Sequence, residues 1–317
     1  MKVIAIEEHM LPRDIMDSAG IDLGLRAGAR AAALDDLGDG RLQVMDDAGI
    51  DVQVLSALSY FVQGFESARA VPLHRDLNDR MAGAVEAHPD RFRAFAALPM
   101  ADTAASVAEL TRCVEELGFL GAMIHGQTNG VFLDDLSVRP ILAAAARLGV
   151  PIYLHPAPGP LVVQETYYSG LEPAVAACLS TSGWGWHSEC GMHVLRMVAA
   201  GVFEELPELK LIVGHMGEGL PFHIDRIESM LNPVVTGHSL TVAETLRRNL
   251  YLTTSGYNYD APLACALATF GVDHIMFSVD HPFANSHQAA AYLASAPLDA
   301  ADREKIAHGT AEALLKI

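Results

Sequence analysis

Positive charge is scarce in this sequence: 21 Lys and Arg stand against 39 Asp and Glu, for a formal net charge of −18. A surface of that sign repels phosphate backbones and anionic headgroups, which argues against nucleic acid or a membrane surface as partner. Cysteine is scarce too. Cys113, Cys178, Cys190 and Cys265 are scattered without CxxC spacing. That argues against a thiolate zinc site and for reduced, mostly buried thiols in a cytosolic protein. No apolar run approaches the roughly 18 residues of a membrane-spanning helix. The opening MKVIAIEEHMLPRD has a short apolar run broken by Glu7 and Glu8, so a signal peptide is not expected and a cytoplasmic location is. No low-complexity linker and no repeat shorter than a strand-helix unit is visible.

What is present is apolar and periodic. Hydrophobic residues make up 51% of the 317 positions, enough for one large core, and residues 1–317 read as a single domain. Short β-rich runs recur at 3–9, 52–58, 92–99, 119–126, 151–157, 210–217, 250–256 and 274–282. Helical spacing fills most of the gaps, as in Ala104 to Leu117 and Val138 to Leu148. Asp102 stands where an N-cap belongs, and Gly118 and Gly149 stand where helices stop. Eight strands alternating with helices predict an α/β fold, a (β/α)₈ TIM barrel of parallel strands. An open doubly wound sheet is the alternative, and the missing GxGxxG after the first strand weighs against it. Two stretches exceed simple connections: residues 10–41 after strand 1 and residues 157–186 after strand 5. Loops in those places lie on the catalytic face and are read either as lids or substrate walls, or as subunit contacts or plain surface packing.

In such a barrel the chemistry sits at the C-terminal strand ends. Strand 1 ends in Glu7-Glu8-His9, strand 5 in His155, strand 6 in His215 and strand 8 in Asp280. Alternation along a strand turns Glu7 and His9 to one face and Glu8 to the other. Taken singly, His155 reads as a hydrogen-bonded core histidine, Asp280 as a turn residue, and Glu7 with Glu8 as a solvated edge. Taken jointly, ionisable groups end four strands on one face, where unpaired burial costs several kcal/mol each. One divalent metal, Zn or Mn, held by Glu7, His9, His155 and Asp280 resolves that cost.

These residues carry a resemblance. EEH at 7–9, GFLGAMIHG at 118–126, YLHP at 153–156, VGHMGEGLPF at 213–222 and FSVDHPF at 277–283 resemble the amidohydrolase-related group of the amidohydrolase superfamily. The similarity is greatest to its nonoxidative aromatic acid decarboxylases, those of γ-resorcylate, 2,3-dihydroxybenzoate and 5-carboxyvanillate. It spans nearly the whole chain, and the stretch 184–226 is similar throughout. The resemblance implies a (β/α)₈ barrel and a homodimer or homotetramer. It also implies that Glu7, His9, His155 and Asp280 are the metal ligands, with His215 and Glu218 a polar pair beside them. Arg226 matches an arginine near the catalytic aspartate. Met10, His125 and Ser59-Tyr60-Phe61 depart from the family pattern at positions expected to line the substrate pocket.

The reaction so implied is metal-dependent, nonoxidative decarboxylation of a hydroxylated aromatic carboxylic acid. Asp280 is the candidate acid, His215 and Glu218 relay or orient, and Arg226 balances charge. The alternatives are hydrolysis or hydration on the same metal site, with Asp280 as general base, and a noncatalytic ligand-binding barrel.

Overall fold

The Asp102 side chain accepts a hydrogen bond from the Ala105 N–H at 3.0 Å, and a helix runs from Thr103 to Glu115. The next helix, Arg139–Leu148, ends at Gly149 with φ +67°, a left-handed turn that glycine takes without strain. These caps fall where the sequence places them. In the computed structural model, which describes residues 1–21 and 27–317, such helices alternate with eight strands. The strands are β1 (Ile4–Met10), β2 (Val52–Ala57), β3 (Phe92–Ala94 with Ala96–Ala97), β4 (Ala122–His125), β5 (Ile152–His155), β6 (Leu211–Val213), β7 (Leu250–Thr253) and β8 (Ile275–Met276).

Every neighbouring pair is parallel, in sequence order. Strand β3 breaks at Phe95, whose N–H still donates to Leu55 O at 2.9 Å. The ring closes where the chain after β8 meets β1. Asp280 N–H donates to Glu7 O at 3.1 Å, and His9 N–H donates to His281 O at 2.8 Å. The barrel interior is filled by Ile4, Ile6, Val54, Phe95, Met123, Tyr153, Ile212 and Met276. A second, larger apolar layer lies between strands and helices.

One irregularity in β1 sets the site. Its register on β2 shifts between Ala5 and Glu8, so β1 carries one extra residue there. Before the bulge, Ile4 and Ile6 face the interior. Strict alternation from them would turn Glu8 inward as well. The extra residue changes the phase, and Glu7 and His9 converge on the axis while Glu8 joins Gln53 on the outer side.

The excursion after β1 holds helices Arg13–Ala19, Ala27–Asp35 and Asp39–Ala48; its residues 22–26 lie outside the described residues. The excursion after β5 holds helices Leu161–Tyr168 and Pro173–Ser180. Among the described residues, no helix is long and apolar enough to cross a membrane. All four cysteines are free, with Cys113 and Cys190 buried but Cys178 exposed, so the expectation of mostly buried thiols holds for only part of the set.

Candidate metal centre and substrate cavity

Glu7, His9, His155 and Asp280 each offer one ligand atom, and these atoms lie within 4.8 Å of one another. His155 Nε2 is 3.2 Å from Glu7 Oε1, and His9 Nε2 is 3.2 Å from Asp280 Oδ1. Glu7 and His9 are fully buried, so neither is the solvated edge that an isolated reading allows. The carboxylates and imidazoles of three separated strand ends are thus brought together, as the strand ends suggested.

The surroundings aim these atoms at a common point. Glu7 Oε2 accepts hydrogen bonds from the hydroxyls of Tyr153, Ser255 and Thr253, which leaves Oε1 free to face the centre. His155 Nδ1–H donates to Pro156 O at 2.7 Å, which leaves the Nε2 lone pair inward. His9 Nδ1 is held by Ser56 Oγ at 3.0 Å. Outer hydrogen bonds of this kind fix the tautomer and orientation of metal ligands. Gly214 belongs to the same construction, because a Cβ there would meet Glu7 Oε2 at 2.8 Å and Tyr153 OH at 3.1 Å.

Two observations test whether a cation fits. Among the described residues, Glu7 Oε1 and His9 Nε2 are buried with no hydrogen-bond partner, a costly state unless an ion completes it. The charge also calls for a cation. Burial opposes ionisation of Glu7, yet the imidazoles of His215, His155 and His9 hold its carboxyl well below the usual range. Burial likewise opposes ionisation of Asp280, and His215 and His9 outweigh it. In return, burial of His9 is overcome by Asp280 and Glu7, which push the imidazole up to about 9. Two ionised carboxylates in a dry site draw positive charge onto their neighbours, and a divalent ion supplies it directly. The N/O donor set suits manganese or zinc.

Beside the cluster, five consecutive residues have positive φ: His215 (51°), Met216 (55°), Gly217 (82°), Glu218 (54°) and Gly219 (78°). Three of them are not glycine, at a cost of about 1–3 kcal/mol each. The turn bends the chain so that His215 Nε2 lies 3.8 Å from Asp280 Oδ2. Its Nδ1–H meanwhile donates to Glu218 Oε1 at 2.7 Å. Asp280 itself has φ +73°.

A cavity of about 510 Å³ opens above the cluster, walled by Tyr60, Phe61, Trp186, Tyr257 and Phe283. Asp280, His155 and His215 reach it, whereas Glu7 and His9 do not. Not every residue expected near the substrate borders this cavity in the single chain. Arg226 is exposed on the helix Leu220–Met230 and does not border this cavity. On that helix Leu220 and Ile224 turn inward, and helical spacing leaves Arg226 on the outer face. Among the described residues, the cation on the cavity wall is Arg30, 5.1 Å from the Phe283 ring. Met10 packs into the apolar layer outside the barrel. His125 is buried behind Tyr60 and borders a smaller adjoining cavity of about 250 Å³. Tyr60 and Phe61 do line the main cavity, while Ser59 turns to His125 Nδ1 at 3.3 Å.

Sequence reasoning passed over Tyr153, Ser255, Arg30 and His187. Tyr153 carried a signal, since it stands two residues before His155 and therefore on the same face of β5. Arg30 lies in the excursion after β1 and His187 follows that after β5, and no periodicity marks either.

Comparison with known proteins agrees with this geometry. Residues 15–317 match the family model described as Amidohydrolase. Decarboxylase orsB of Emericella nidulans is 38% identical over 99% of this chain and 97% of its own. The gamma-resorcylate decarboxylase of Polaromonas sp. JS666 is 37% identical over 99% and 98%. A crystal structure of a dihydroxybenzoic acid decarboxylase from Polaromonas sp. JS666, with bound manganese and the inhibitor 2-nitroresorcinol, superposes with a TM-score of 0.91. It is 37% identical and covers 99% of this chain and 97% of its own. Parallel eight-fold topology, a buried mixed-ligand cluster at the strand ends and similarity over the full length all agree, and the chain belongs to the amidohydrolase family.

Proposed function

We infer that this protein is a metal-dependent, nonoxidative decarboxylase of a hydroxylated aromatic carboxylic acid. The observation that carries the reading is the position of Asp280. Its side chain is 16% exposed while Glu7 is fully covered, and it is the carboxylate of the cluster that also borders the cavity. An acid placed there reaches both the ligand cluster and a bound ring. The flat aromatic walls accept a planar substrate, and γ-resorcylate is the first candidate, given the relatives that act on it.

Glu7, His9, His155 and Asp280 would hold a divalent cation, which would supply positive charge to neutralise and orient the substrate carboxylate. Asp280, ionised in the free site, takes up a proton by exchange with water once substrate is bound and delivers it to the ring carbon that bears the carboxylate. The carbon–carbon bond then breaks, its electron pair restores the ring, and carbon dioxide leaves. Asp280 is left ionised and regains a proton from water. His215 stands 3.8 Å away to hold that proton, with its ring fixed by Glu218. Arg30 balances substrate charge, the task that sequence similarity gave to Arg226.

Self-association as a homodimer or homotetramer is part of the proposal. Leu161, Val162, Tyr167, Val175 and Trp184 on the segment after β5 are exposed, an apolar surface that a second copy would cover. Sedimentation of the purified protein tests it, and a monomer at every concentration overturns it. The reaction is tested by screening hydroxylated benzoates for carbon dioxide release with metal content measured on the same sample. Cleavage or hydration of another substrate, with no carbon dioxide from any benzoate, overturns it in favour of the hydrolase or hydratase reading.

A further inference from the structure

We propose that His187 is a positioning residue that couples seating of the segment after β5 to the orientation of His215. The proposal rests on the decarboxylase reading for its kinetic consequences and on geometry alone for the coupling. His187 lies in the first turn of the helix Gly185–Ala199, directly after that segment, and is 8% exposed. Its Nδ1–H donates to Glu218 Oε2 at 2.6 Å. The other oxygen of Glu218 accepts from His215 Nδ1–H at 2.7 Å. One buried carboxylate therefore holds two imidazoles, whose rings stand 4.8 Å apart. Both oxygens of Glu218 are engaged, so His187, His215 and Glu218 form a hydrogen-bonded clamp rather than a second cation site. Because both partners donate through Nδ1, His215 is left with Nε2 directed toward Asp280 and Glu7.

The far side of His187 faces the segment. Its Nε2 accepts from the Trp186 indole N–H at 3.3 Å and lies 3.1 Å from Ser182 O. Ser182 and Trp186 both wall the cavity. Displacing the segment therefore pulls on His187, frees one oxygen of Glu218 and loosens His215. A substrate that seats the segment tightens the same chain of contacts. Small losses of alignment at a reacting centre are expensive, about 10–100-fold in rate.

Two substitutions separate the two ends of the imidazole. In His187→Asn the amide nitrogen sits one bond beyond Cγ, as Nδ1 does, so it can still donate to Glu218. In His187→Gln the amide lies further out and replaces Nε2 toward Ser182 but not Nδ1. The experiment measures kcat, KM and bound metal for His187→Ala, His187→Asn and His187→Gln. It also measures acrylamide quenching of Trp186 in a Trp184→Phe background, where Trp186 is the remaining tryptophan. The expected result is a kcat lowered about 10–100-fold in His187→Ala and His187→Gln with metal retained. His187→Asn should recover kcat to within a few-fold while its KM rises and Trp186 becomes easier to quench. Equal rescue by Asn and Gln overturns the proposal, as does a kcat for His187→Ala within about twofold of wild type. Should His187→Ala not fold, the contrast between Asn and Gln decides. Should the wild type decarboxylate no aromatic acid, the reaction reading falls, and unchanged Trp186 quenching in His187→Asn still overturns the coupling.

Discussion

His9 Nε2 lies 3.2 Å from Asp280 Oδ1, and this contact joins the first strand of the barrel to the chain leaving the last. The same seam carries the backbone hydrogen bonds that close the ring. Closure of the barrel brings the ligands of β1 and of the chain after β8 together, so metal binding and folding should be linked. Metal removal is expected to abolish activity, and Mn²⁺ or Zn²⁺ to restore it. The melting temperature should rise on reloading, because a ligand that binds only the folded state stabilises it. Metal analysis beside a thermal scan checks this. Full activity in a verified metal-free sample contradicts it.

The outer hydrogen bonds on Glu7 make a second prediction. Tyr153→Phe removes one hydroxyl donor from Glu7 Oε2 without changing the shape of the ring. Metal affinity should fall roughly 10–100-fold, read by competition with a chelator, while the fold is kept. Unchanged affinity would mean that Oε2 needs no such support.

Glu8 and His155 should part company on substitution. His155→Ala is expected to lose metal and activity together. Glu8 is equally buried, but its Oε1 accepts from Val279 N–H at 2.9 Å and its Oε2 from the Gln53 amide at 3.1 Å. Glu8→Ala leaves those donors unpaired at about 1–3 kcal/mol, so it should lower the melting temperature and spare the metal. Equal metal loss from both would show that the bulge in β1 does not turn Glu8 outward.

A pH prediction comes from His193. Burial is the main cause that pushes its imidazole down, from 6.5 to about 4, and its Nε2 accepts the Leu133 N–H at 2.8 Å. The unfolded chain binds the proton more readily, so the stabilisation is fully present above pH 6.5 and is lost as pH falls toward 4. A depression of that size corresponds to about 3 kcal/mol. Denaturant titrations at several pH values should show a shallower acid loss in His193→Gln than in the wild type. Parallel curves would show that this imidazole is not held neutral.

Much of the site was legible because strand ends are predictable. Glu7, His9, His155, His215 and Asp280 each close an apolar run, and the barrel brings such ends together whatever the connecting loops do. Glu218 and Arg226 had only a family pattern behind them. The left-handed turn at 215–219 brings Glu218 to His215, while helical geometry turns Arg226 to solvent. The wall residues were hardest to read. Arg30 and His187 reach the cavity through the two long excursions, where tertiary packing decides the path. The alternation argument for Glu7 and His9 gave the right faces, but it had no sight of the bulge that makes them compatible with Ile4 and Ile6.

The most direct test is decarboxylation in D₂O with the metal-loaded enzyme and its best hydroxylated benzoate, followed by product NMR. Asp280 exchanges its proton with solvent before delivering it, so one deuterium should stand on the ring carbon that held the carboxylate, with carbon dioxide released in equal amount. Asp280→Asn should keep its fold and lose kcat by several orders of magnitude, since an amide cannot donate that proton. Product without deuterium at that carbon, or Asp280→Asn turning over at the wild-type rate, would contradict the assignment of Asp280 as the acid.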